Sequence, residues 1–454
     1  MNLTVTHAII ILITVALVIG IGIYHSRSVK SAAGYSVGGR SAGVPLVAGT
    51  VVGGGATVGT AQLAYSFGLS AWWFTLGSGI AFIIMGIFYA RRMRGTGLET
   101  IPQFLSLHYG KRAEELSSVI SSIGILFSAV ASCLPGIEII SSLFGLDPMI
   151  SSVVLILLVI GYTFFGGMKS AAIGGILKMG IIWFALFIAG FEAFQAIYGT
   201  AAWDNMAPSE FSLFGRGFEP SIANLFSVIV GVLCTQTYIQ CIFSASTPYY
   251  CSLRLLCGSS DCHSRGPSQC GHRHVHACHG SRCDADSRTA CLSHQPYRRL
   301  YRKPGHGGII LSLVSGIGGL SLGIGTMIAR DMLAPILKIR DDHKLLVITK
   351  MTVLAVMILA CLISIANRGS EVLVWNYLSM ALRGGGIFIP FSLAVFLPGH
   401  LTKTWAVISM AGSTLAALLS ATVIHLPMDP LFVGLIASAI LIIPGLRLHG
   451  NPPG

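Results

Sequence analysis

The chain of 454 residues is 53% hydrophobic and only 10% charged, whereas soluble domains carry about 25% charged residues. This composition excludes a soluble enzyme and indicates a protein that crosses a membrane several times. Its apolar runs are about twenty residues long, which is the length of a spanning helix and about twice that of a spanning strand. The net charge of +12 lies in short loops and one unusual segment, so it does not indicate nucleic-acid binding.

Hydropathy predicts an all-α polytopic fold with spans that follow one another along nearly the whole chain. We interpret the first span as a segment of the mature protein and not as a leader, because no cleavage signal follows it. The predicted spans lie near residues 5–24, 44–67, 71–90, 116–143, 150–166, 176–198, 222–243, 308–328, 345–366, 372–397, 405–425 and 430–446.

The loops between these spans predict the orientation of the chain. With the N-terminus outside, the inner loops collect the basic residues and the outer loops hold mostly acidic ones, which is the positive-inside rule. The inner set is Arg27, Lys30, Arg40, Arg91, Arg92, Arg94, Lys111, Arg112 and Lys169, and the outer set is Arg216, Asp147, Asp204, Glu210 and Glu219. The protein is therefore expected to lie in a cell membrane, plasma or inner, with its N-terminus outside.

The second span, Val44–Gly68, carries Gly53, Gly54 and Gly55 in its middle. Each glycine costs about 1 kcal/mol in a helix interior, so the triplet favours a helix that unwinds at mid-membrane. An unwound backbone is tolerated there only where it is buried in protein or lines a cavity, and its free carbonyls can bind a cation. The alternative is that the glycines only let neighbouring helices pack closely.

The orientation rule also exposes a missing span. The span that ends near Phe243 finishes inside, and the later loop from Arg330 to Lys344 also belongs inside, yet only the span 308–328 lies between them. An odd number of further crossings must therefore occur within 245–307. That stretch contains no apolar run of about eighteen residues, the shortest that indicates a span.

The segment 248–307 is instead rich in Cys, His, Arg and Ser, with seven of the eleven cysteines and seven of the fourteen histidines. A metal-binding insert would have closely paired ligands, and these cysteines are not paired in that way. A disulfide-rich outer loop fits the cysteine count but leaves the crossing unexplained. The third interpretation is translation in the wrong frame.

The genetic code supports the third interpretation. When one set of synonymous codons for Cys251–Pro267 is shifted by one base, it encodes ALFGFFAAALIVIPVGL, an apolar run of spanning character. We therefore predict a compensated double frameshift, with one base lost or gained near each end of this segment in the coding DNA. The chain then divides into a first transmembrane region at 1–247, an aberrant segment at 248–307, a second transmembrane region at 308–447 and a short tail at 448–454.

Several stretches outside 248–307 resemble the sodium:solute symporter family, which has the inverted-repeat fold named after the leucine transporter. The resemblance implies two halves of five helices with extra flanking helices, and one span lost in 248–307. The residues that carry it are GYSVGGRSAG at Gly34–Gly43, LETIPQFLSLHYGKR at Leu98–Arg112, GYTFFGGMKSA at Gly161–Ala171, TQTYIQ with Gln236 and Gln240, and LSLVSGIGGLSLGIGTMIARD at Leu311–Asp331.

The resemblance implies a sodium site at the predicted break. By position, its ligands would be the backbone carbonyls of Gly49 and Val52 and the hydroxyls of Ser312 and Ser315. Neutral oxygens suit Na⁺, although serines in membrane helices also bond to their own backbone. The family's adjacent hydroxyl pair is here Ser315–Gly316, so one ligand is lost. The aspartate of a second sodium site is replaced by Gly174–Gly175, so we expect one sodium ion.

The residues at the family's solute positions are small. They are Gly53, Gly54, Gly55 and Ala56 on the broken span, Thr75 and Ser78 on the next span, and Gly231, which interrupts a second candidate for a broken span. Where the family has an arginine after the second glutamine, this chain has Cys241. These positions predict a small cavity with few groups that match a sugar.

Arg383 is the one charge predicted near mid-membrane, and it stands beside a second triple glycine, Gly384–Gly386. A charge at this depth costs at least about 2.5 kcal/mol on insertion scales and is functional by default. An arginine fork suits a carboxylate. Alternatively, carbonyls at a glycine break, Glu138 or Glu192 could satisfy the guanidinium.

We therefore expect a secondary transporter that moves a small organic solute, with a carboxylate favoured, together with a cation, taken as Na⁺, by alternating access. The partners would be the solute, Na⁺ and membrane lipid, with no nucleic acid and no cofactor. The alternatives are a sensor or channel on the same fold, or an inactive product of a frame-shifted gene. An enzyme is not expected, since His108, His343, His400 and His425 are scattered and have no carboxylate or nucleophile at a useful spacing.

Overall fold

The computed structural model describes residues 31–40, 58–164, 166–198, 207–244, 302–424 and 428–447, with Ala16, Gly20, Tyr24, Val29 and Leu426 as single positions. These residues form helices and loops, apart from one isolated bridge between Leu401 and Leu446. Apart from those single positions, the predicted span 5–24 lies outside the described residues, as do residues 44–57 of the predicted span 44–67 and the segment 245–301. The all-α prediction is confirmed for the residues that the structure describes.

The first half of the chain ends with the two helices that flank the second predicted break. They are α1 (Ala32–Ser36), α2 (Thr60–Phe67), α3 (Trp72–Ile84), α4 (Ala90–Arg94), α5 (Ile101–Tyr109), α6 (Lys111–Phe144), α7 (Pro148–Val159), α8 (Gly167–Ile197), α9 (Phe218–Leu233) and α10 (Gln236–Ser244). A π-helical turn, Met85–Tyr89, joins α3 to α4, and another, Ile160–Phe164, follows α7.

The second half contains α11 (Arg302–Met327), α12 (Ala334–Ile336), α13 (Asp342–Ala366), α14 (Val372–Phe396), α15 (Lys403–Leu419) and α16 (Pro430–Ile442). A π-helical turn, Ile328–Leu333, joins α11 to α12. Among the described residues, seven helices are long and apolar enough to cross a membrane, or eight if the bent pair α9 and α10 is one span. The predicted spans 150–166 and 430–446 correspond to shorter apolar helices, Pro148–Phe164 and Pro430–Gly445, which fall below the length of a full span.

The three most deeply buried spans, α6, α11 and α14, form the centre of the bundle, and α6 packs along both of the others. Their burial follows from small and apolar side chains on most of their faces, including the fully buried Ala129 and Leu313. By contrast, α8 exposes a row of phenylalanines that suits lipid contact, namely Phe184, Phe187, Phe191 and Phe194.

Contacts between distant loops bring the basic loops to one end of the bundle, which the positive-inside rule assigns to the inner side. Arg92 donates to the carbonyl of Val395 (2.9 Å), and the backbone N–H of Ala32 donates to Asp342 (3.0 Å). At the opposite, outer end, Ser227 donates to Asp429 (3.0 Å). The described loops are therefore sorted as the positive-inside rule predicts.

The same contacts show why a crossing is needed between α10 and α11. The described chain stops after α10 at the inner end, where Gln240 donates to the carbonyl of Ser36 (2.7 Å). Helix α11 ends at that same inner end, because Gln240 also contacts Thr326 near its last turn (3.3 Å). The first turn of α11 therefore lies at the outer end. The chain has to pass from one end to the other between residues 244 and 302.

Helix α14 excludes one of the alternatives considered for Arg383. The triple glycine Gly384–Gly386 does not break this helix, which continues from Val372 to Phe396. The glycines instead let other helices approach closely: a methyl group on Gly385 would lie 3.1 Å from the backbone of Gly434, and one on Gly384 would lie 2.7 Å from Leu431. They serve helix packing, as small residues commonly do in membranes.

The second broken span is present, but its break is not at Gly231. Helices α9 and α10 meet at a bend of 48°, and the two residues between them are Cys234 and Thr235. Gly231 lies inside α9, where a methyl group would collide with the side chain of Met380. The glycine therefore provides room for α14, and the helix breaks one turn later.

Candidate functional site

Only the serine half of the predicted sodium site lies within the described residues. Ser312 is fully buried, and its hydroxyl has no hydrogen-bond partner among the residues that the structure describes. Ser315, one turn further along α11, lies next to the hydroxyl of Tyr162 and bonds with it. A buried oxygen without a partner is unfavourable unless something binds it, so Ser312 fits the role of a cation ligand.

The other predicted ligands, Gly49 and Val52, and the predicted solute positions Gly53, Gly54, Gly55 and Ala56, lie outside the described residues. The nearest described position is Val58, which is fully buried. Val58 belongs to the same apolar cluster as Leu313 and Tyr162. The chain that follows the predicted break therefore packs in the same region as the two serines.

Arg383 is buried, with 3% of its surface exposed. One terminal nitrogen, Nη2, donates to the hydroxyl of Ser128 on α6 (3.4 Å). Its Nε and Nη1 have no hydrogen-bond partner among the described residues. A methyl group on Gly124 would touch the stem of Arg383 at 3.5 Å, so this glycine makes room for the arginine between α6 and α14.

The guanidinium of Arg383 lies near the break of the second broken span. It interacts electrostatically with Cys234, which lies at the break, and with Tyr238, in the first turn of α10. Glu138, one of the predicted partners of Arg383, pairs instead with Arg368 at 3.1 Å. The carbonyls of a glycine break are also excluded, since α14 is continuous. Within the described chain, this buried charge thus retains two nitrogens that can bind a further group.

The two predicted hydroxyls on α3, Thr75 and Ser78, lie on one side of the helix. Ser78 lies one turn from both Phe74 and Phe82 on the same helix face, and these rings contact Tyr377 (6.4 Å) and Tyr238 (5.1 Å) edge to face. Ser78 therefore faces the region between α10 and α14. Thr75, three residues before Ser78 and seven before Phe82, lies on the same side of the helix.

Both hydroxyls also have a partner within their own helix, since Thr75 donates to the carbonyl of Trp72 (3.1 Å) and Ser78 to that of Phe74 (3.0 Å). This agrees with the alternative that such hydroxyls bond to their own backbone. The third solute position, Gly231, is in contact with Met380 and so lies between helices.

Sequence reasoning missed the groups around Arg383. Ser128 bonds to it, and Ser379 joins Ser128 (2.8 Å), so the three form one polar group between α6 and α14. Serines are frequent along α6, and nothing in their spacing marks Ser128. Tyr238 could have been noticed, because it stands between Gln236 and Gln240, which carry some of the family resemblance.

The comparisons with known proteins agree with this fold. Residues 32–208 match the model of the sodium:solute symporter family. Over 234 residues the chain is 29% identical to the human high affinity choline transporter 1, a match that covers 47% of this chain and 39% of that protein. It is 25% identical over 240 residues to the sodium/glucose cotransporter of Vibrio parahaemolyticus (49% and 44%) and 26% identical over 236 residues to the sodium/proline symporter of Staphylococcus aureus (48% and 46%).

Among solved structures, a Na⁺-coupled sialic acid symporter in a substrate-bound, outward-open state has a TM-score of 0.80 at 16% identity, and the match covers 98% of this chain and 97% of that one. Mhp1 in an inward-facing conformation has a TM-score of 0.51 at 10% identity, covering 88% of each chain. At these identities the matches show the fold, which is the inverted-repeat fold expected from the resemblance.

The chain is a multi-pass membrane protein, since both its apolar helices and its matches to membrane transporters indicate one. The relatives that it matches are transporters and not enzymes. The matched region spans less than half the length of those relatives. The match to the family model stops at residue 208, before the segment 248–307.

Proposed function

We propose that this chain, whose residues 32–208 belong to the sodium:solute symporter family, derives from a transporter that couples the entry of Na⁺ to that of a small organic solute. The family match and the shared fold support coupling to a cation. Alternating access would rock one group of helices against the other around a site between the two broken spans. The cation site would use Ser312 and Ser315 with carbonyls near Gly49 and Val52.

We further propose that the solute carries a carboxylate. The observation that carries this proposal is Arg383, which is buried and has two nitrogens without a partner among the described residues. Nε and Nη1 lie on different edges of the guanidinium, so a carboxylate would accept from one of them together with Nη2 on the same edge, and such charge-assisted pairs are the strong ones. The first turn of α10 lies beside Arg383, and half-helix N-termini at such breaks favour anionic solute groups.

The relatives do not decide the solute, because their names include choline and glucose, which have no carboxylate, and proline, which has one. The solved symporter takes sialic acid, which also has a carboxylate. Ser78 and Tyr238 would contact the rest of the solute, and the small positions Gly53, Gly54, Gly55 and Ala56 would limit its size.

Binding of proline and of lactate to the purified protein, with its reading frame restored across codons 248–307, in Na⁺ and in K⁺, tests both halves of the proposal. We expect tighter carboxylate binding in Na⁺, and no such effect for choline or glucose. Arg383→Gln should weaken carboxylate binding about ten- to hundredfold, since a hydrogen bond to a charged group contributes about 1.5–3 kcal/mol. Ser312→Ala should reduce the effect of Na⁺ and leave binding in K⁺ unchanged.

The cation site and the carboxylate preference can each be contradicted independently of the other. Equal binding in Na⁺ and K⁺ would contradict the cation site. Sodium-dependent binding of glucose or choline, unaffected by Arg383→Gln, would contradict the carboxylate and keep the symporter. Arg368→Gln is the matched control, because it also removes an arginine. It breaks the ion pair between Arg368 and Glu138 (3.1 Å), which lies at the outer end of the bundle and away from the site.

The second candidate is that the chain as written is an inactive product of a frame-shifted gene. It is favoured by the position of the described ends, since α10 stops at the inner end and α11 begins at the outer one. The chain between them has to cross the membrane, yet its sequence has no apolar run that suits a crossing. A protein with that segment in its original frame would regain the span.

A further inference from the structure

The inner end of the bundle holds a second buried polar group that the solute site does not use. Its members are Ser36, Glu99, Gln236, Gln240 and Arg330, which we call the inner latch. Glu99 is 3% exposed, and Gln236 and Gln240 are not exposed at all. Buried polar side chains are costly unless they are hydrogen-bonded, so the bonds among these residues hold the surrounding elements together.

Glu99 is the centre of the inner latch. Its carboxylate accepts from the hydroxyl of Ser36 (2.6 Å) and forms an ion pair with Arg330 on the turn after α11. Arg330 is partly exposed, so it joins the buried carboxylate to the water on the inner side. The carbonyl of Glu99 also accepts from the side chain of Gln236 (3.0 Å).

The two glutamines attach α10 to the same group. Gln236 accepts from the backbone N–H of Ile101 (2.9 Å), at the start of α5. Gln240, one turn later, donates to the carbonyl of Ser36 (2.7 Å) and to Thr326 on α11 (3.3 Å). Both glutamine side chains therefore bind elements other than the helix that carries them.

The inner loop is also fixed to α11 by a neighbouring carboxylate. Asp331 accepts from the hydroxyl of Thr100 (2.8 Å) and from the side chain of Gln103 (2.9 Å). These two bonds do not involve α10. The loop that carries Glu99 is thus held on the α11 side, and α10 is attached to that loop through Gln236.

We propose that the inner latch is a conformational device that holds α10 closed over the inner side of the solute site. This inference rests on the proposed alternating access. Helix α10 is already separated from α9 by a bend of 48°, so it can tilt without moving α9. Loss of the bonds from Gln236 and Gln240 would free it from α1 and the inner loop, and would leave the bond from Thr237 to the carbonyl of Gly319 (3.3 Å) as a link to α11. Water and solute would then reach the break from inside.

The native cysteines provide a test that needs neither solute nor Na⁺. Cys234 at the break and Cys241 in α10 are fully buried, and Cys133 in α6 and Cys361 in α13 are buried as well. The full chain, in membranes, is treated with N-ethylmaleimide, and the modification of each cysteine is followed by mass spectrometry of its chymotryptic peptide. Cleavage after aromatic residues separates the peptides of Cys234 and Cys241 from each other and from the cysteines of 251–291.

We expect Gln240→Leu, and separately Arg330→Gln, to speed the labelling of Cys241 about tenfold or more, because a locally opened state becomes more populated. Labelling of Cys133 and Cys361 should stay slow, which shows that the bundle remains folded. The double exchange E99K/R330E should restore slow labelling, since it re-forms an ion pair. Arg368→Gln, which breaks an outer ion pair, is the control and should change nothing.

Unchanged labelling of Cys241 in both variants would overturn the proposal. Equal acceleration at all four cysteines would overturn it too, because the bonds would then only support the fold. If Cys241 responds as expected while the protein shows no sodium-dependent binding, the latch stands and the proposed function fails. The reverse combination would keep the function and remove the latch.

Discussion

Arg383 shows what can be predicted about a single residue and what cannot. Its charge at mid-membrane depth is visible in the sequence, and the structure confirms that it is buried. Its surroundings depend on Ser128, which lies 255 residues away along the chain. No local pattern predicts that pairing. The adjacent glycines left a helix break open as an alternative, but Gly384 and Gly385 pack against α16, Gly386 packs against α15, and α14 is continuous.

His108, on the inner helix α5, gives a prediction at the same scale. Its ring packs against Phe104 (5.0 Å), its Nδ1 has no partner among the described residues, and burial lowers its pKa below the ordinary value of 6.5. The folded protein therefore keeps this histidine neutral at a pH at which the unfolded chain binds a proton. Stability from this source is present above the unfolded pKa and is lost as the pH falls below it.

Thermal unfolding of the detergent-solubilised protein between about pH 5 and pH 8 measures this effect. His108→Phe keeps a ring in place and should flatten the loss of stability at low pH. Parallel pH profiles for the wild type and the variant would show that His108 does not contribute.

At the scale of an element, the second broken span was predicted from one glycine and found one turn further on. Gly231 allows α9 to lie against Met380, and this contact is not visible in the sequence. The break follows at Cys234 and Thr235, neither of which disfavours a helix as glycine does. The existence of a broken span was therefore predictable from the resemblance, but its position was not.

The glycine at the start of α8 gives a testable case. Gly167 has a positive φ of 55°, and a methyl group there would collide with the carbonyl oxygen of Tyr35. Gly167→Ala should destabilise the protein by about 1–3 kcal/mol, through strain and displacement of α1.

Gly180→Ala on the same helix is the control, since nothing lies within 4 Å of the added methyl group. It should be neutral or stabilising, because alanine favours a helix by about 1 kcal/mol. Thermal unfolding of both variants compares them directly. Equal effects would contradict the close contact between Gly167 and Tyr35.

At the scale of the whole molecule, the distribution of charge predicted the sides of the membrane, and the described loops meet at the ends accordingly. The same count predicted that a crossing is missing, and the positions of α10 and α11 require one. The predicted sodium site is the part that the structure tests least, because Gly49 and Val52 lie outside the described residues. Its serine half was identified from the family resemblance alone.

The inner latch belongs to this scale as well, because it joins four separate stretches of the chain. The sequence marked Gln236, Gln240 and the loop that contains Glu99 as family-like, without indicating that they meet. The buried carboxylate of Glu99 pairs with Arg330 from the far half of the chain. This contact follows from the arrangement of α10 and α11 and from nothing local.

The most direct measurement is the uptake of radiolabelled proline or lactate into proteoliposomes, with and without an inward Na⁺ gradient. It compares the chain as written with a form in which the reading frame is restored across codons 248–307. We predict Na⁺-driven uptake by the restored form, its loss in Arg383→Gln, and no uptake by the chain as written. Robust uptake by the unaltered chain would contradict the frameshift. Uptake by the restored form that ignores the Na⁺ gradient would contradict sodium-coupled symport itself.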